Sequence, residues 1–440
     1  VSVDPFINAI NRQLTRAVSL PSFRYDAEVS VSGMRFKSVA VTALTERHLY
    51  LENLFEDIQV TVAMQASHYT ELVLHGHEDM TMKLTQRPYE GGTPYTKEYH
   101  AVIISHQDGK RDGNITDVAE PGALDLTTFS VITFQLITSA AFDLRLREIG
   151  AIYPNCCAVD VLRHYLAKTR LHDRLSQTEA VATVTVEPGA SQRKFNPIKI
   201  PEGTRFMAFP DYLQREYGIY AQGLGCFLRG LEWHIFAPFN ITKRDYDIPR
   251  LVVFNAPPAR YRDVPKNFHI VGKTVTVIAT GETKHRRYSD EDALNGGTGV
   301  RYADMRSING NTSTSDPTVD PERLPEQYMT EYRGSRHLKD IQNTVTSSTR
   351  FSDNPLVIAS VMAQRGGEVV DVTWLHGTLE PLRPGMPTTF YYGANGVLKQ
   401  RYGTLLSAEL VSSIPQKGFI EPEHRNVVRL SLFLKDDGMM

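Results

Sequence analysis

The chain has little cysteine, little tryptophan, no long apolar run and almost no net charge. Three cysteines in 440 residues, Cys156, Cys157 and Cys226, two of them adjacent, argue against a disulfide framework and favour assembly in a reducing cytoplasm. No run of 18 apolar residues occurs and the N-terminal residues lack a signal-peptide pattern, so the expectation is a soluble protein not exported by that route. The 48 basic residues are answered by 50 acidic ones, a net charge of −2 that points to neither nucleic acid nor membrane as a partner. With two tryptophans, Trp233 and Trp374, the chain lacks the aromatic groove expected of a glycan-cleaving enzyme.

Catalytic signatures are missing too. There is no Gly-x-Ser-x-Gly elbow and no His-Glu-x-x-His pair. His75 and His77, with His68 and Glu71 nearby, have a spacing that would suit zinc, but no fourth ligand is evident. Cys156-Cys157 reads as a buried or half-buried pair at a helix start. Asn295-Gly296-Gly297-Thr298-Gly299 lacks the Gly-Lys-Ser/Thr ending of a phosphate loop and reads as a turn. Glu202, Asp211 and Glu216 lie near aromatics in the loose setting of a glycosidase. No catalytic residue, cofactor or metal is assigned.

What is present is alternation. Ile58, Val60, Val62 and Met64 alternate with polar or small residues, as do Met80, Met82 and Leu84, and then Val102 and Ile104. The strand within 125–138 slips at Val131-Ile132, as a bulge would produce. Period 2 returns at Val370, Val372 and Trp374, at the Asn395-Gly396 hairpin, and at Val428, Leu430, Leu432 and Leu434. Helices are expected after Asp4-Pro5, over 141–149 and over 157–168. The N-terminal arm has two possible seats, its own fold or a neighbour.

The fold class expected is mainly β with α+β parts: two antiparallel β-barrel domains, a connecting α/β region and a long polar insertion. The divisions are an N-terminal helical arm over 1–23, a first barrel with helices over 24–188, a connecting domain over 189–280, the insertion over 281–345 and a second barrel over 346–440. The insertion is too polar to fold alone.

Between Phe209 and Asn240, glycines and large aromatics crowd together, as either an interior turn or a close-fitting contact surface requires. Candidate interface residues there are Tyr217, Tyr220, Leu224, Phe227 and Trp233. The basic run Lys284, His285, Arg286, Arg287, answered at once by Asp290, Glu291 and Asp292, reads as a solvated or intersubunit ion-pair surface.

The strings PDYLQ, YGIYAQGLG, LEWHIF, TGETKH and NGGTGVR, in that order between Pro210 and Arg301, resemble the baseplate hub protein of contractile-tailed bacteriophages. That resemblance implies a structural virion protein and not an enzyme. It implies a homotrimer whose six tube-type barrels present near-sixfold symmetry to the tail tube and threefold symmetry to a central spike. Its implied partners are itself, tube or tube-initiator proteins, the spike and a tape measure protein, with DNA passing through the lumen unbound. Rival classes are a tail-associated cell-wall hydrolase and a carbohydrate-binding module.

Overall fold

The computed structural model describes residues 5–19, 22–65, 67–68, 71–72, 79–88, 93–106, 129–173, 178–256, 266–280, 284–287, 300–304, 342–346, 356, 359–360, 363–364, 366–394, 397–414 and 423–435. Pro5 opens helix α1 (Pro5–Leu14), where its missing N–H leaves no helical acceptor unfilled. The buried Ile10 of α1 packs with Phe254, Ala256 and Ile278, so the arm docks on its own chain.

Strands follow in sequence: β1 (Val18–Ser19), β2 (Phe23–Val31), β3 (Met34–Lys37), β4 (Ala40–Leu49), β5 (Asp57–Gln65), β6 (Met80–Pro88), β7 (Tyr95–His106) and β8 (Phe129–Ile137). Ser32 and Gly33, both at positive φ, make the two-residue turn that twists β2 into β3. A first circuit runs β2-β6-β7-β8-β5-β4 with every pair antiparallel. It returns on itself at β3, which pairs with β2 and leads into β4, and where the Ser38 N–H donates to the Ala27 carbonyl at 2.9 Å. The alternating residues fill the inside: Val29, Val60, Val62, Met64, Met82, Ile132 and Phe134 are fully buried.

An α/β unit with its own core is inserted next. It comprises α2 (Ser139–Leu144), β9 (Glu148–Tyr153), β10 (Cys156–Cys157), α3 (Ala158–Ala167), β11 (Arg170–Asp173), β12 (Thr178–Val181), β13 (Thr183–Val186), β14 (Lys194–Phe195), β15 (Ile198–Arg205), α4 (Phe209–Glu216), β16 (Gly225–Arg229) and β17 (Glu232–Phe236). The helix expected over 141–149 is shorter: Thr138 caps α2, accepting from the Ala141 N–H at 3.3 Å, and from Glu148 the chain pairs as β9 with β15. The polar stretch near 189, read as a domain boundary, lies inside this unit, with β14 paired to β10.

The remaining strands are β18 (Arg250–Ala256), β19 (Lys266–Val271), β20 (Thr274–Thr280), β21 (Lys284–Arg287), β22 (Val300–Asp304), β23 (Gln342–Thr346), β24 (Gly367–Leu375), β25 (Pro387–Ala394), β26 (Val397–Ser413) and β27 (Arg425–Lys435). A second circuit runs β20-β18-β25-β26-β27-β24. It returns where β21, next in sequence after β20, pairs with β24. Strands β18 and β20, from the stretch assigned to the connecting domain, therefore belong with 367–435. Trp374, Leu405, Val428, Leu430, Leu432 and Leu434 fill its core.

Both circuits have the same circular order. With six strands in each counted in chain order, the sequence around the circuit is first, fourth, fifth, sixth, third, second. The fifth strand is bulged opposite the sixth in both, between Ile103 and Ser105 in β7 and between Leu405 and Ser407 in β26. The slip expected at Val131-Ile132 is not there: β8 alternates regularly and pairs with β5 without a break, and the extra residue lies in β7 opposite Thr133 and Phe134. Two features correct the expectation of separate antiparallel barrels. First, β18 runs parallel to both β20 and β25. Second, the circuits are seamed through β3 and β21 instead of by an unbroken ladder, and are joined where β4 pairs with β26 over 43–49 and 407–413. The whole is one 16-stranded sheet.

Candidate functional site

Helix α4 ends where Gln214 turns back on the chain, its Oε1 accepting from the N–H groups of Ile219 (2.8 Å) and Tyr220 (3.1 Å). That turn sends the aromatic run inward. Tyr220, Phe227 and Trp233 are each at most 1% exposed. The Tyr220 hydroxyl donates to the Glu187 carbonyl at 2.6 Å, Phe227 meets Tyr50 edge-on at 5.0 Å, and Trp233 meets Phe55 at 5.6 Å. These three are core residues, which corrects their placement on a contact surface. The glycines serve the same end: a Cβ on Gly225 would overlap the Phe236 ring.

Tyr217 and Leu224 are half-buried on the same unit, Tyr217 donating to the Lys199 carbonyl at 3.1 Å. Lys284, His285, Arg286 and Arg287 form β21, whose backbone pairs with β24. His75, His77 and 290–299 lie outside the described residues; His68 packs on Phe36 at 5.2 Å between ring centres. Glu202, Asp211 and Glu216 are exposed. Cys157 is buried, its thiol donating to the Gln192 carbonyl at 3.2 Å, and burial raises the pKa of Cys156. All three cysteines are free.

A cluster of charged and titratable residues that the sequence reading missed lies at the joint between the circuits. On the more open side, Arg47 of β4 donates to Glu409 of β26 at 2.8 Å and lies 3.6 Å from Asp57, while Arg429 approaches Glu409 at 3.6 Å. Such exposed pairs add little each. On the buried side, His48 Nε2 is 2.8 Å from Glu46 and 3.6 Å from Glu56, and Lys97 reaches Glu56 at 3.9 Å. Phe227 packs on His48 at 5.5 Å, so the inserted unit caps the cluster.

Glu46, His48 and Glu56 each place one ligand atom within 4.8 Å of the others, the donor set a cation would use. Here the chain supplies the countercharge itself. Burial lowers the His48 pKa, but hydrogen bonds to Glu46 and Glu56 outweigh it and raise the value to about 9. Burial raises that of Glu56, but Lys97 and His48 bring it down to about 2. An imidazolium donates and does not ligate, so with His48 protonated the three residues form an ion-pair lock. The signal in sequence was Glu46-Arg47-His48, three consecutive charged or titratable residues between apolar Leu44 and Leu49.

A pH dependence follows. His48 contributes stability that is complete below its ordinary 6.5 and is lost as pH rises through about 9. Glu56 contributes stability that is complete above 4.5 and is lost as pH falls toward about 2. The unfolding free energy should therefore be highest between those windows and fall by on the order of 3 kcal/mol from pH 6 to pH 10, with His48→Gln flattening the alkaline limb. An alkaline limb unchanged in that variant would remove His48 from the lock.

No protein-family model and no curated protein matches the chain. Among solved structures, it is similar to a 43 kDa tail protein of prophage MuSo2 from Shewanella oneidensis, at 8% identity and a TM-score of 0.45, over 93% of this chain and 97% of that one. It is also similar to the E. coli c3393 protein, a type VI secretion component with structural similarity to bacteriophage T4 tail proteins, at 9% identity and a TM-score of 0.41, over 93% and 77%. A third is a Francisella PdpA-VgrG complex, at 8% identity and a TM-score of 0.40, over 99% and 56%.

Proposed function

We propose that the chain is a structural subunit of a phage-type baseplate hub, three copies forming a ring of six circuits around a lumen that lets DNA pass. The observation that carries this is the duplication: two circuits of one circular order, bulged at the same place, joined through β4 and β26. A duplicated module in a threefold ring offers six similar faces to a sixfold partner and three identical ones to a threefold partner. The order of motif strings between Pro210 and Arg301, with its likeness to hub proteins, supports the same reading. On it, the partners are further copies, tail-tube or tube-initiator proteins, a central spike and a tape measure protein, the location is the virion baseplate, and no turnover is involved.

Light scattering on the purified chain should give three times its 49.5 kDa mass, with six lobes around a hole in negative-stain averages. A chain that stays monomeric at every concentration, or that cleaves cell-wall glycan or peptide, would sink the proposal.

A further inference from the structure

An amine, a carboxamide and a carboxyl group meet in one closed pocket where the chain leaves the inserted unit for the second circuit. Lys243 is completely buried, Asn240 is 8% exposed and Glu187 is 9% exposed. Lys243 lies in the 3-10 turn Ile241–Asp245 and Asn240 immediately precedes that turn, a spacing of three that sets the two side chains one above the other. Glu187, which follows β13, holds both: Lys243 Nζ donates to its Oε2 at 2.8 Å and Asn240 Nδ2 to its Oε1 at 3.4 Å. One carboxylate thus bridges the amine and the carboxamide nitrogen.

The other end of the carboxamide is polarised. Asn240 Oδ1 accepts from the Thr242 N–H at 3.0 Å and from the Thr242 hydroxyl at 2.7 Å, two donors aimed where negative charge develops when a nucleophile adds to Cγ. The amine end is dry: the Phe236 ring centre lies 5.5 Å from Nζ, Ala237 is fully buried, and the Tyr220 hydroxyl closes on the Glu187 main-chain carbonyl at 2.6 Å. Burial lowers the pKa of Lys243 and raises that of Glu187. Both directions favour a free electron pair on the amine and a proton on the carboxyl.

We propose that Lys243 and Asn240 join in an intramolecular isopeptide bond, with Glu187 relaying the protons. Glu187 takes one proton from the ammonium, and the freed Nζ electron pair adds to Asn240 Cγ while the carbonyl pair moves onto Oδ1 under the Thr242 donors. Glu187 then gives its proton to Nδ2 and takes a second from Nζ. The carbonyl re-forms, the Cγ–Nδ2 bond breaks, and ammonia leaves with that bond's electrons past the exposed Thr242. An ion pair and a carboxamide become a secondary amide, a neutral carboxyl group and ammonia, with no oxidant, reductant or cofactor. Holding the groups together supplies the proximity, and the product no longer keeps an ammonium out of water. The ring closed spans three residues, so the bond changes the charge of the pocket and not the reach of the chain. This modification is independent of the hub reading.

Intact-mass spectrometry of the purified full-length chain should give one ammonia less than the mass of its sequence. Fragmentation of the peptide containing 240–243 should place the loss there, with no fragments from backbone cleavage inside that ring. Asn240→Ala and Lys243→Arg, whose guanidinium is a poor nucleophile, should keep their full mass, and Glu187→Gln should keep it at a time when the wild type has reacted completely. Should the variants fail to fold, the wild-type mass and fragment map decide alone. A wild-type chain still at full mass after prolonged incubation overturns the proposal. So does ammonia lost from another asparagine, or loss of one water with Lys243 joined to Glu187.

Discussion

Replacing Lys243 by methionine is expected to destabilise the fold by about 3–5 kcal/mol, because it leaves a carboxylate without its buried partner. Lys243 is completely buried, its Nζ 2.8 Å from Glu187 Oε2 and 5.5 Å from the centre of the Phe236 ring. Asn240 approaches the other oxygen of Glu187 at 3.4 Å. Burial lowers the pKa of Lys243 and raises that of Glu187, in each case against the pull of its partner. Desolvation therefore opposes the pull of the partner at both ends of the pair.

The pair also has a place in the architecture. Glu187 follows β13 of the inserted unit, and Lys243 lies in the 3-10 turn Ile241–Asp245 on the way to β18, so one contact ties the unit to the second circuit. Glu187→Met together with Lys243→Met should recover most of the loss, since the pair together costs little to replace with apolar volume. Urea denaturation of the two single variants and the double variant measures this. A Lys243→Met midpoint equal to that of the wild type would mean that the hydrogen bonds from Asn240 and the Ala237 backbone suffice for Glu187 without the ammonium.

This contact also shows why some of the structure could be read in advance and some could not. Alternation depends on neighbours two apart, so the inward positions of β5, β6, β8, β24 and β27 were legible, and so was the β25–β26 pairing that begins at Ala394 and Val397. The circular order was not, because it is fixed by pairings between distant stretches such as Leu251 with Thr388 and Leu49 with Ser407, and a strand such as β18 has the same pattern whether its neighbours run with it or against it. The run Lys284–Arg287 reads as a solvated or intersubunit surface because charges usually are exposed, and nothing in the sequence marks which charges are exceptions. Glu187, Lys243, Glu368 and Arg401 are buried because each has a partner brought from a distant stretch. The glycine-aromatic run admitted two readings, and the Gln214 turn and the fit of Gly225 against Phe236 decide for the interior one.

Gly403→Ala should cost about 3 kcal/mol or more, at the upper end of what overpacking produces. Gly403 pairs with Thr388 of β25 on one side and Leu434 of β27 on the other, two residues before the bulge at Leu405. A Cβ there would overlap the Phe433 carbonyl and lie 2.9 Å from Leu434 Cδ2. The obstacle is backbone held on its far side by β24, which cannot swing away as a flexible side chain would. The first circuit has Ala101 at the matching position, buried and accommodated, so the second circuit is drawn tighter where β26 passes from its own ladder to the joint with β4. By contrast, a Cβ on Gly189 meets nothing within 4 Å, and its φ of +93° leaves only backbone strain of about 1–2 kcal/mol for alanine. Thermal melts of the two variants should therefore separate, Gly403→Ala well below Gly189→Ala. Equal melts would place β26 and β27 farther apart than this packing requires.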